Sequence, residues 1–460
     1  MSTREEGALS PRIESRDDLV RWIAAGEKPK PNWRIGTEHE KFVFQTGTLD
    51  PVPYGGPRGI RALMEELIKR YNWLAIREGD TIIALKRPDG EPGGTISLEP
   101  GGQFELSGAP LETLHETADE TQQHLKEVLD VGEDLQIGFL GVGFSPKWRL
   151  DDVPRMPKRR YAVMTKYMPQ VGSRGLDMMY RTATIQANLD FANEADMVKK
   201  LRVSLALQPI ATALFASSPF TEGKPNGFQS MRSEVWRDTD KRRTGMLPFA
   251  FDEGMGYERY VAYALDVPMY FVYRDGQYID VAGASFRDFL GGKLKGFEGQ
   301  FQTIDDWSDH LTTLFPEVRL KRFLEMRGAD GGRWGSITAL PAFWTGILYD
   351  EAALDQAWQM VKSWITPERE ALRNGVAQTA LRTPFRQTTV AELAREAVGI
   401  ARLGLKNRAR LNAQHQDERI YLAPLEVISS NARTVSDQLL ERFNGAWQSN
   451  VDHIFEEFAF

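Results

Sequence analysis

The segment Arg34–Phe44, with the sequence Arg-Ile-Gly-Thr-Glu-His-Glu-Lys-Phe-Val-Phe, places the strongest constraint on how this chain can fold. Its alternation is typical of a β-strand, in which successive side chains point to opposite faces. Glu38 and Glu40 would then share a face with Gly36 and Phe42. Two carboxylates this close repel each other, and each takes up a proton unless a cation lies between them. The strand therefore indicates either part of a Mg²⁺ or Mn²⁺ site or the wet face of an antiparallel sheet.

Three other predicted strands carry polar side chains on one face, although strands generally disfavour glutamate and asparagine. They contribute Glu99 with Glu105, Gln186 with Asn188, and Glu325 with Arg327. Together with the first strand they predict a shared polar floor, where five carboxylates could bind two or three divalent cations. Arg327 could stabilise charge on a phosphoryl group in transfer. These residues favour a metal-dependent enzyme acting on a phosphate, unless each strand faces solvent independently.

The phosphate-binding loops of the common nucleotide folds are missing from the sequence. It contains no Gly-x-x-x-x-Gly-Lys-Ser and no Gly-x-Gly-x-x-Gly after a strand, so ATP would bind without a P-loop. His39 falls on the strand face opposite the two glutamates and is interpreted as a packed or solvent-facing histidine. The basic run Lys158-Arg159-Arg160 is interpreted as a solvated surface.

Composition excludes several kinds of protein. The 460 residues carry a net charge of −7, which argues against a nucleic-acid or membrane-surface binder, and 42% are hydrophobic, enough for a large core. The absence of cysteine excludes disulfides, thiolate catalysis and zinc–thiolate sites. The N-terminus lacks the apolar segment of a secretory signal, and no apolar run is long enough to cross a bilayer. A cytoplasmic protein without nucleic-acid or membrane partners is therefore predicted.

Strands scattered among helices predict an α+β protein in three parts. Residues 1–30 are expected to form a tail and a short helix, 31–350 an antiparallel-sheet core, and 351–460 a helical part packed on that core. Within the core, residues 217–248 are rich in Gly, Pro, arginine and aromatic residues. A loop of this length is predicted to be functional.

Five motifs occurring in order along the chain resemble the glutamate–cysteine ligase family of the plant and proteobacterial type. They are Gly36–Lys41, Ser97–Ser107, Met179–Phe191, Asp238–Asp240 with Gly245–Phe249, and Phe323–Asp330. The resemblance extends from about residue 30 to residue 350, and a weaker helical likeness continues to the end.

The resemblance implies the glutamine-synthetase-like carboxylate–amine ligase fold, in which a curved antiparallel sheet flanked by helices forms the active-site floor. It also implies ATP-dependent ligation of the L-glutamate γ-carboxylate to the amine of L-cysteine through a γ-glutamyl phosphate, the first step of glutathione biosynthesis. The implied partners are L-glutamate, L-cysteine and ATP, with two or three Mg²⁺ ions or possible Mn²⁺ replacements. The protein would be a monomer or a non-covalent dimer.

The resemblance also assigns roles by matching position. The implied metal ligands are Glu38, Glu40, Glu99, Glu105 and Glu325. Glu325 and Arg327 form the implied catalytic pair, with Arg327 near the transferring phosphoryl group. The implied cofactor contacts are Gln186 and Asn188. The implied substrate-binding residues are Arg181, Trp236, Arg243 and Met246, with ordinary packing under a loop as the alternative for Trp236 and Met246.

One departure from the family concerns cysteine. Plant members are regulated through cysteine pairs, whereas this chain has no cysteine, so thiol-redox switching and disulfide-linked dimers are excluded. With an N-terminus unlike a transit peptide, this favours a bacterial cytoplasmic enzyme. Three alternatives stay open: a ligase joining glutamate to another amine, a metal-dependent phosphohydrolase, and a non-catalytic ATP-binding regulator.

Overall fold

A large antiparallel sheet organises the chain. The structure is a computed structural model that describes residues 10–90 and 93–460, so part of the predicted N-terminal tail and part of the turn predicted at 88–94 lie outside the described residues. The strands are β1 Ile35–Gln45, β2 Leu74–Glu78, β3 Thr81–Lys86, β4 Thr95–Leu98, β5 Phe104–Ser107, β6 Ile137–Leu140, β7 Thr184–Leu189, β8 Phe220–Thr221, β9 Lys224–Pro225, β10 Thr244–Gly245, β11 Phe271–Arg274, β12 Gln277–Asp280, β13 Phe315–Pro316, β14 Val318–Leu320, β15 Leu324–Asp330, β16 Pro384–Phe385 and β17 Thr388–Thr389.

Helices pack against this sheet. They are α1 Arg16–Ala24, α2 Ile60–Tyr71, α3 Leu114–Leu135, α4 Arg159–Tyr167, α5 Gly175–Arg181, α6 Glu194–Leu214, α7 Met231–Arg237, α8 Tyr257–Asp266, α9 Phe286–Leu290, α10 Ile304–Thr312, α11 Trp334–Leu348, α12 Glu351–Val361, α13 Thr366–Thr379, α14 Val390–Arg408, α15 Ala423–Asn431, α16 Val435–Asn444 and α17 Ile454–Glu457. None of the helices in the described chain combines the length and apolar character needed to cross a bilayer.

The predicted strand around Glu38 is the central strand of the sheet. The strand order is β14-β15-β7-β1-β5-β4-β3-β2, and β6 also pairs with β1. The first half of β1 lies between β5 and β7, and its second half pairs with β6. All of these pairings are antiparallel, as the sequence predicts.

The alternation in β7 explains how the sheet is buried on one side and polar on the other. Ile185, Ala187 and Leu189 are fully buried and belong to the main apolar core, to which α6, α11 and α14 contribute. Gln186 and Asn188 point to the opposite face, because successive strand residues alternate. Burial of the apolar side therefore fixes which face carries the polar side chains.

The C-terminal helices pack on the helices that cover the sheet. Helix α13 contacts α6 and α7, while α14 lies against α11 and α6. The approach of α14 to α11 requires glycine, because a Cβ on Gly404 would collide with the carbonyl oxygen of Gly346. The domain boundary at residue 350 stays a prediction.

Two local predictions need correction. Residues 217–248 are not one irregular loop, since they contain α7, whose cap Ser230 accepts a 3.1 Å hydrogen bond from the backbone N–H of Ser233. A helix of seven residues is too short to show a clear period in sequence. Glu99 does not lie on a strand either: β4 ends at Leu98, and Glu99 begins the turn to β5 with its N–H donating to Gln103 at 3.0 Å.

Candidate active site

A cavity opens on the polar face of the sheet. It encloses about 690 Å³, mouth included, and its acidic wall contains Glu38, Glu40, Glu99 and Glu105. The structure therefore brings together four of the five predicted carboxylates, drawn from β1, β5 and the turn between β4 and β5.

The register of the sheet places these carboxylates side by side. Glu40 lies directly opposite Glu105 on β5, and Glu38 lies opposite Gln186 on β7. Side chains that face each other across an antiparallel pair lie within about 5.5 Å at Cβ. Ser97 on β4 donates a 2.7 Å hydrogen bond to Glu105 and fixes its orientation. The crowding is thus a direct consequence of strand pairing.

The four carboxylates are crowded, and nearby cations such as Lys158, Arg160 and Arg232 act on them without direct contact. None of the four carboxylates forms an ion pair with any residue in the described parts of the chain. Burial, reinforced by neighbouring carboxylates, raises the pKa of Glu99 to about 8 and that of Glu40 well above its usual value. Burial also acts to raise the pKa of Glu105, yet this pKa is lowered below its usual value, with contributions from the hydrogen bonds of Ser97 and Glu99 and from the charge of Lys158. Glu99 and Glu105 therefore behave as two carboxylates that share one proton.

Glu325, the fifth predicted carboxylate, is held differently. It is 0% exposed, and Arg319 grips it with two hydrogen bonds, Nε to Oε2 at 2.9 Å and Nη2 to Oε1 at 2.6 Å. Lys321 lies 3.3 Å away and Arg327 also donates to it. Against its burial, the three cations hold the pKa of Glu325 well below the usual range. Glu325 is absent from the described residues that line the cavity, so its predicted role as a metal ligand loses its geometric basis.

Arg327 does face the cavity, and its position depends on an irregularity in the sheet. The register between β7 and β15 shifts by one residue between Met326 and Ala329. Such a bulge re-aims the side chain beside it. The Nη1 group of Arg327 donates to Gln186 at 2.6 Å, which also lines the cavity.

Asn188 lies beside this group and acts on a carboxylate. Its Nδ2 donates to Glu38 at 2.8 Å, whereas its Oδ1 is buried without a hydrogen-bond partner. Asn188 is not among the described residues that line the cavity. It therefore positions Glu38 rather than lining the cavity itself.

Arg160, which sequence reasoning placed on a solvated surface, is a wall of the cavity. Arg160 and Lys158 are each 5% exposed, and only Arg159 of the basic run faces solvent. Arg160 donates no hydrogen bond to the described part of the chain, and its Nε is buried without a partner. The signal that could have found it is the following Tyr161-Ala-Val-Met164 segment, whose apolar pattern indicates a half-buried helix.

Arg232 and Arg319 are two further cavity arginines that the sequence analysis missed. Arg232 lies on α7 and donates from Nη2 to the backbone oxygen of Arg327 at 2.8 Å, while its Nε has no partner. Nearby, the predicted substrate-binding residue Trp236 lines the cavity and also has an unpartnered buried N–H. Trp236 and Phe315 separate the cavity from a second chamber of about 310 Å³.

Three predicted substrate-binding residues do not reach the cavity. Arg181 pairs with Asp177 at 2.6 Å and Glu222 at 2.9 Å. Arg243 is 0% exposed and pairs with Asp240 at 2.7 Å. Met246 is buried and, like these two arginines, is absent from the described residues that line either chamber. The arginines are committed to structural ion pairs, so their substrate-binding roles are not supported by the geometry.

The donor chemistry of the cavity suits a hard divalent cation. Four carboxylates without ion pairs, Glu99 and Glu105 buried and Glu38 and Glu40 half-buried, supply oxygen ligands and an excess of negative charge, which Mg²⁺ or Mn²⁺ would relieve. Within residues 10–90 and 93–460, however, no three acidic or histidine side chains already stand in an arrangement that could hold an ion. Side chains such as Glu99 would have to turn toward a cation to complete its coordination.

The relationship of this chain to known proteins follows from a family model. The model for glutamate-cysteine ligase family 2 (GCS2) matches residues 34–457. The chain belongs to this family. The match covers the cavity, the sheet and nearly all of the C-terminal helices.

Curated relatives agree with the family assignment over nearly the whole chain. A chloroplastic glutamate–cysteine ligase of Medicago truncatula is 54% identical over 456 residues, which are 99% of this chain and 87% of the relative. The enzyme of Arabidopsis thaliana is 53% identical, with 99% and 85% covered. The chain is accordingly an enzyme of the ligase class.

A solved structure supports the fold. A glutamate–cysteine ligase of Francisella tularensis, determined in complex with AMP, superposes with a TM-score of 0.53 at 12% identity and covers 94% of this chain and 89% of its own. The glutamine-synthetase-like carboxylate–amine ligase fold implied by the sequence motifs is confirmed.

The prediction of a cytoplasmic protein is wrong. It relied on the residues at the N-terminus, whereas the curated relatives from Medicago, tobacco and Arabidopsis are all named as chloroplastic enzymes. The cytoplasmic assignment is therefore withdrawn.

Proposed function

We propose that this enzyme joins the γ-carboxylate of L-glutamate to the amine of L-cysteine at the expense of ATP, the first step of glutathione biosynthesis. The observation that carries the proposal is the cavity, in which four carboxylates without ion pairs face arginines with unused donors. The first group suits metal-bound phosphates and the second suits anionic substrates. Family membership and the names of the relatives supply the identity of the amino acids.

The reaction has two chemical steps. A glutamate γ-carboxylate oxygen attacks the γ-phosphorus of ATP, the bond to the β-phosphate oxygen breaks, and ADP leaves with that electron pair. The cysteine amine then attacks the acyl carbon, phosphate leaves, and the amine loses a proton. The first step converts a poor electrophile into a reactive acyl phosphate, so water must be kept away from it. The buried walls of the cavity meet that need.

Arginines on the cavity wall are proposed to hold the reacting anions. Arg160, Arg232 and Arg327 each present a guanidinium to the cavity, and a guanidinium can grip a phosphate or carboxylate with two parallel hydrogen bonds. Arg327 is the best placed for the transferring phosphoryl group, because Glu325 and Gln186 fix its Nη1. Glu325 therefore acts as a positioning residue.

The proposed metal ligands are Glu38, Glu40, Glu99 and Glu105. Bound Mg²⁺ would neutralise phosphate oxygens and relieve the repulsion among these carboxylates. Asn188 would keep Glu38 turned toward the ion through its 2.8 Å hydrogen bond. Trp236 is proposed to shield one side of the cavity, next to the second chamber.

The test is the dependence of ADP release on amino acids, with Mg²⁺ present. Glutamate plus cysteine is expected to give rapid turnover, and glutamate alone should give little. Faster turnover with glutamate and another amine would identify that amine, and not cysteine, as the acceptor. Phosphate release without any amine would indicate a phosphohydrolase, and nucleotide binding without turnover would indicate a regulator.

The Glu38→Gln variant tests the site itself. It removes one negative charge but keeps the size of the side chain, so we expect turnover to fall at least about 100-fold while the thermal melting curve stays nearly unchanged. Glu351→Gln, on an exposed helix surface, is the matched control. Near-normal turnover of Glu38→Gln would refute the metal assignment.

A further inference from the structure

Asp330, at the end of β15, is a buried carboxylate that the proposed reaction does not yet use. It is 0% exposed and forms no ion pair with any residue in the described chain. It is also absent from the described residues that line either chamber. A buried charge without a cation partner is costly, and it is tolerated where hydrogen bonds satisfy its oxygens. The donors around Asp330 therefore indicate what it does.

Three donors satisfy Asp330, and they come from the two ends of the segment 217–230. Oδ2 accepts from the backbone N–H of Ser217 at 2.9 Å and from the hydroxyl of Ser218 at 2.6 Å. Oδ1 accepts from the hydroxyl of Ser230 at 2.6 Å. Hydrogen bonds to an ionised acceptor are roughly twice as strong as neutral ones. Asp330 therefore ties both ends of this segment to β15.

The two serine hydroxyls also hold the first turn of α7. Ser230 is the cap of α7, and its oxygen accepts the backbone N–H of Ser233 at 3.1 Å while its proton points to Asp330. The hydroxyl of Ser218 likewise donates to Asp330 and accepts the backbone N–H of Arg232 at 3.4 Å. A carboxylate can only accept, so it turns both hydroxyl protons away from the helix and leaves their lone pairs for its N–H groups.

Helix α7 carries two residues of the cavity wall. Arg232 and Trp236 lie one helical turn apart, and both line the cavity. Arg232 also donates from Nη2 to the backbone oxygen of Arg327 at 2.8 Å, on the strand that ends at Asp330. Strand β15 and helix α7 are thus linked at two points. A shift of the first turn of α7 would move the guanidinium that faces the cavity.

The packing around Asp330 is tight on the side away from α7. A Cβ on Gly143 would lie 2.3 Å from Cγ of Asp330, so only glycine allows this approach. The N–H of Gly143 donates at 3.1 Å to the hydroxyl of Ser217, which in turn donates to the backbone oxygen of Gly331 at 2.7 Å. The carboxylate therefore has no room to swing away from the two serines.

We propose that Asp330 is a positioning residue of the reaction, which acts through the hydroxyls of Ser218 and Ser230 to hold α7 so that Arg232 presents its guanidinium to the cavity. The inference rests on the proposed function, in which Arg232 holds a reacting anion. It adds that a carboxylate outside the cavity determines the orientation of an arginine inside it.

The experiment compares Asp330→Asn and Arg232→Met, singly and together, by steady-state kinetics. Asp330→Asn keeps the size of the side chain but replaces one acceptor oxygen with a donor group, so one serine hydroxyl must reverse. We expect kcat/KM to fall about 20-fold in Asp330→Asn and about 100-fold in Arg232→Met. The double variant should be no slower than Arg232→Met, because Asp330 acts through Arg232.

Two further variants separate positioning from a loss of stability. Glu418→Gln is the matched control, since Glu418 is also 0% exposed and accepts two hydrogen bonds but lines neither chamber in the described chain. It should lower the melting temperature and keep kcat/KM within about twofold. Ser218→Ala leaves Asp330 two donors, so it gives a milder test if Asp330→Asn folds poorly. We expect it to lower kcat/KM about fivefold, with no further loss in the Arg232→Met background.

A merely structural role for Asp330 would multiply the two losses in the double variant, and that result would overturn the proposal. A kcat/KM of Asp330→Asn within twofold of the unchanged protein would overturn it too. The rise in melting temperature on adding Mg²⁺ and ATP supplies a readout without turnover. It should shrink in Asp330→Asn, and equally in Arg232→Met and the double variant. If glutamate and cysteine give no turnover, the proposed function fails, but this second readout still decides the role of Asp330.

Discussion

Glu325 on β15 and Glu99 in the turn after β4 lie on opposite sides of β1, and both are buried among charges. Glu325 is enclosed by Arg319, Lys321 and Arg327, and its pKa is held well below the usual range. Glu99 forms no ion pair with the described residues; burial and the carboxylate of Glu105 raise its pKa to about 8, and Lys158 and Arg160 only partly oppose that rise. The Glu325 side of β1 carries its own counter-charges, whereas the Glu99 side must obtain them from protons or ligands. This difference separates the part of the site that supports the fold from the part that is prepared for cations.

The largest expected effect comes from removing Arg319, the counter-charge that holds Glu325. Arg319→Met leaves Glu325 buried without its two-pronged partner, and breaking a buried pair from one side costs about 3–5 kcal/mol. The free energy of unfolding from urea titration measures this loss. Arg402→Met breaks the exposed pair with Glu426 and should cost less than about 1 kcal/mol. Equal losses in the two variants would mean that the buried pair of Arg319 contributes no more to stability than the exposed pair of Arg402.

A smaller effect is expected from an arginine on the cavity wall. Arg160→Lys keeps the positive charge but loses the planar fork, so we expect kcat/KM to fall about 100-fold with an unchanged melting temperature. Arg58→Lys, on an exposed loop, is the control and should keep full activity. An active Arg160→Lys variant would show that the charge alone suffices at this position.

The crowding of carboxylates around Glu99 predicts that the stability of the metal-free protein depends on pH. The pKa of Glu99 is about 8 in the folded protein against an ordinary value of 4.5, so the folded state retains a proton that the unfolded chain has released. Metal-free protein should therefore lose about 3–4 kcal/mol of stability as the pH rises from 5 to 8. Urea titrations across this range measure the slope.

Two comparisons sharpen that measurement. Glu99→Gln should flatten the slope, because its amide does not titrate, and Mg²⁺ added at pH 8 should restore stability in the unchanged protein. Glu351→Gln, at an exposed position, should keep the full slope. A slope that is the same in Glu99→Gln would assign the pH dependence to other groups.

The smallest effect concerns the hydrogen bond that orients Glu38. A Cβ on Gly36 would lie 3.2 Å from the Cβ of Asn188, which would have to shift and weaken its bond to Glu38. Gly36→Ala should cost about 1 kcal/mol and lower turnover a few-fold. Gly47→Ala, where a Cβ meets nothing within 4 Å, is the control. Full activity of Gly36→Ala would mean that Asn188 is not needed to hold Glu38.

The strands of the site were predictable because their pattern is local. Alternation in Arg34–Phe44 and in Thr182–Phe191 indicates which side chains share a face, and pairing between strands then brings them together. His39 also behaves as predicted, since it is a packed histidine, 1% exposed, on the opposite face. The prediction succeeded wherever the burial of one sheet face determines the other.

The arginines were harder to predict, because their direction depends on distant partners. Arg243 and Arg181 looked like substrate ligands in sequence, yet Asp240 and Asp177 hold them in the structure. Arg160 looked like part of a solvated run, yet α4 turns it inward. No spacing rule connects a loop arginine to the carboxylate that pairs with it, so only the folded arrangement distinguishes the two roles.

The alternation within β1 restricts how this chain can change length. Glu38 and Glu40 face the cavity, while His39 and fully buried Lys41 face the opposite way and lie 3.1 Å apart at His39 Nδ1 and Lys41 Nζ. Deleting one residue inside the strand before Glu38 would exchange the two sets, with an imidazole and an ammonium entering the cavity and two acids entering the apolar interior. Insertions and deletions in relatives should therefore be confined to surface connections and spare this strand.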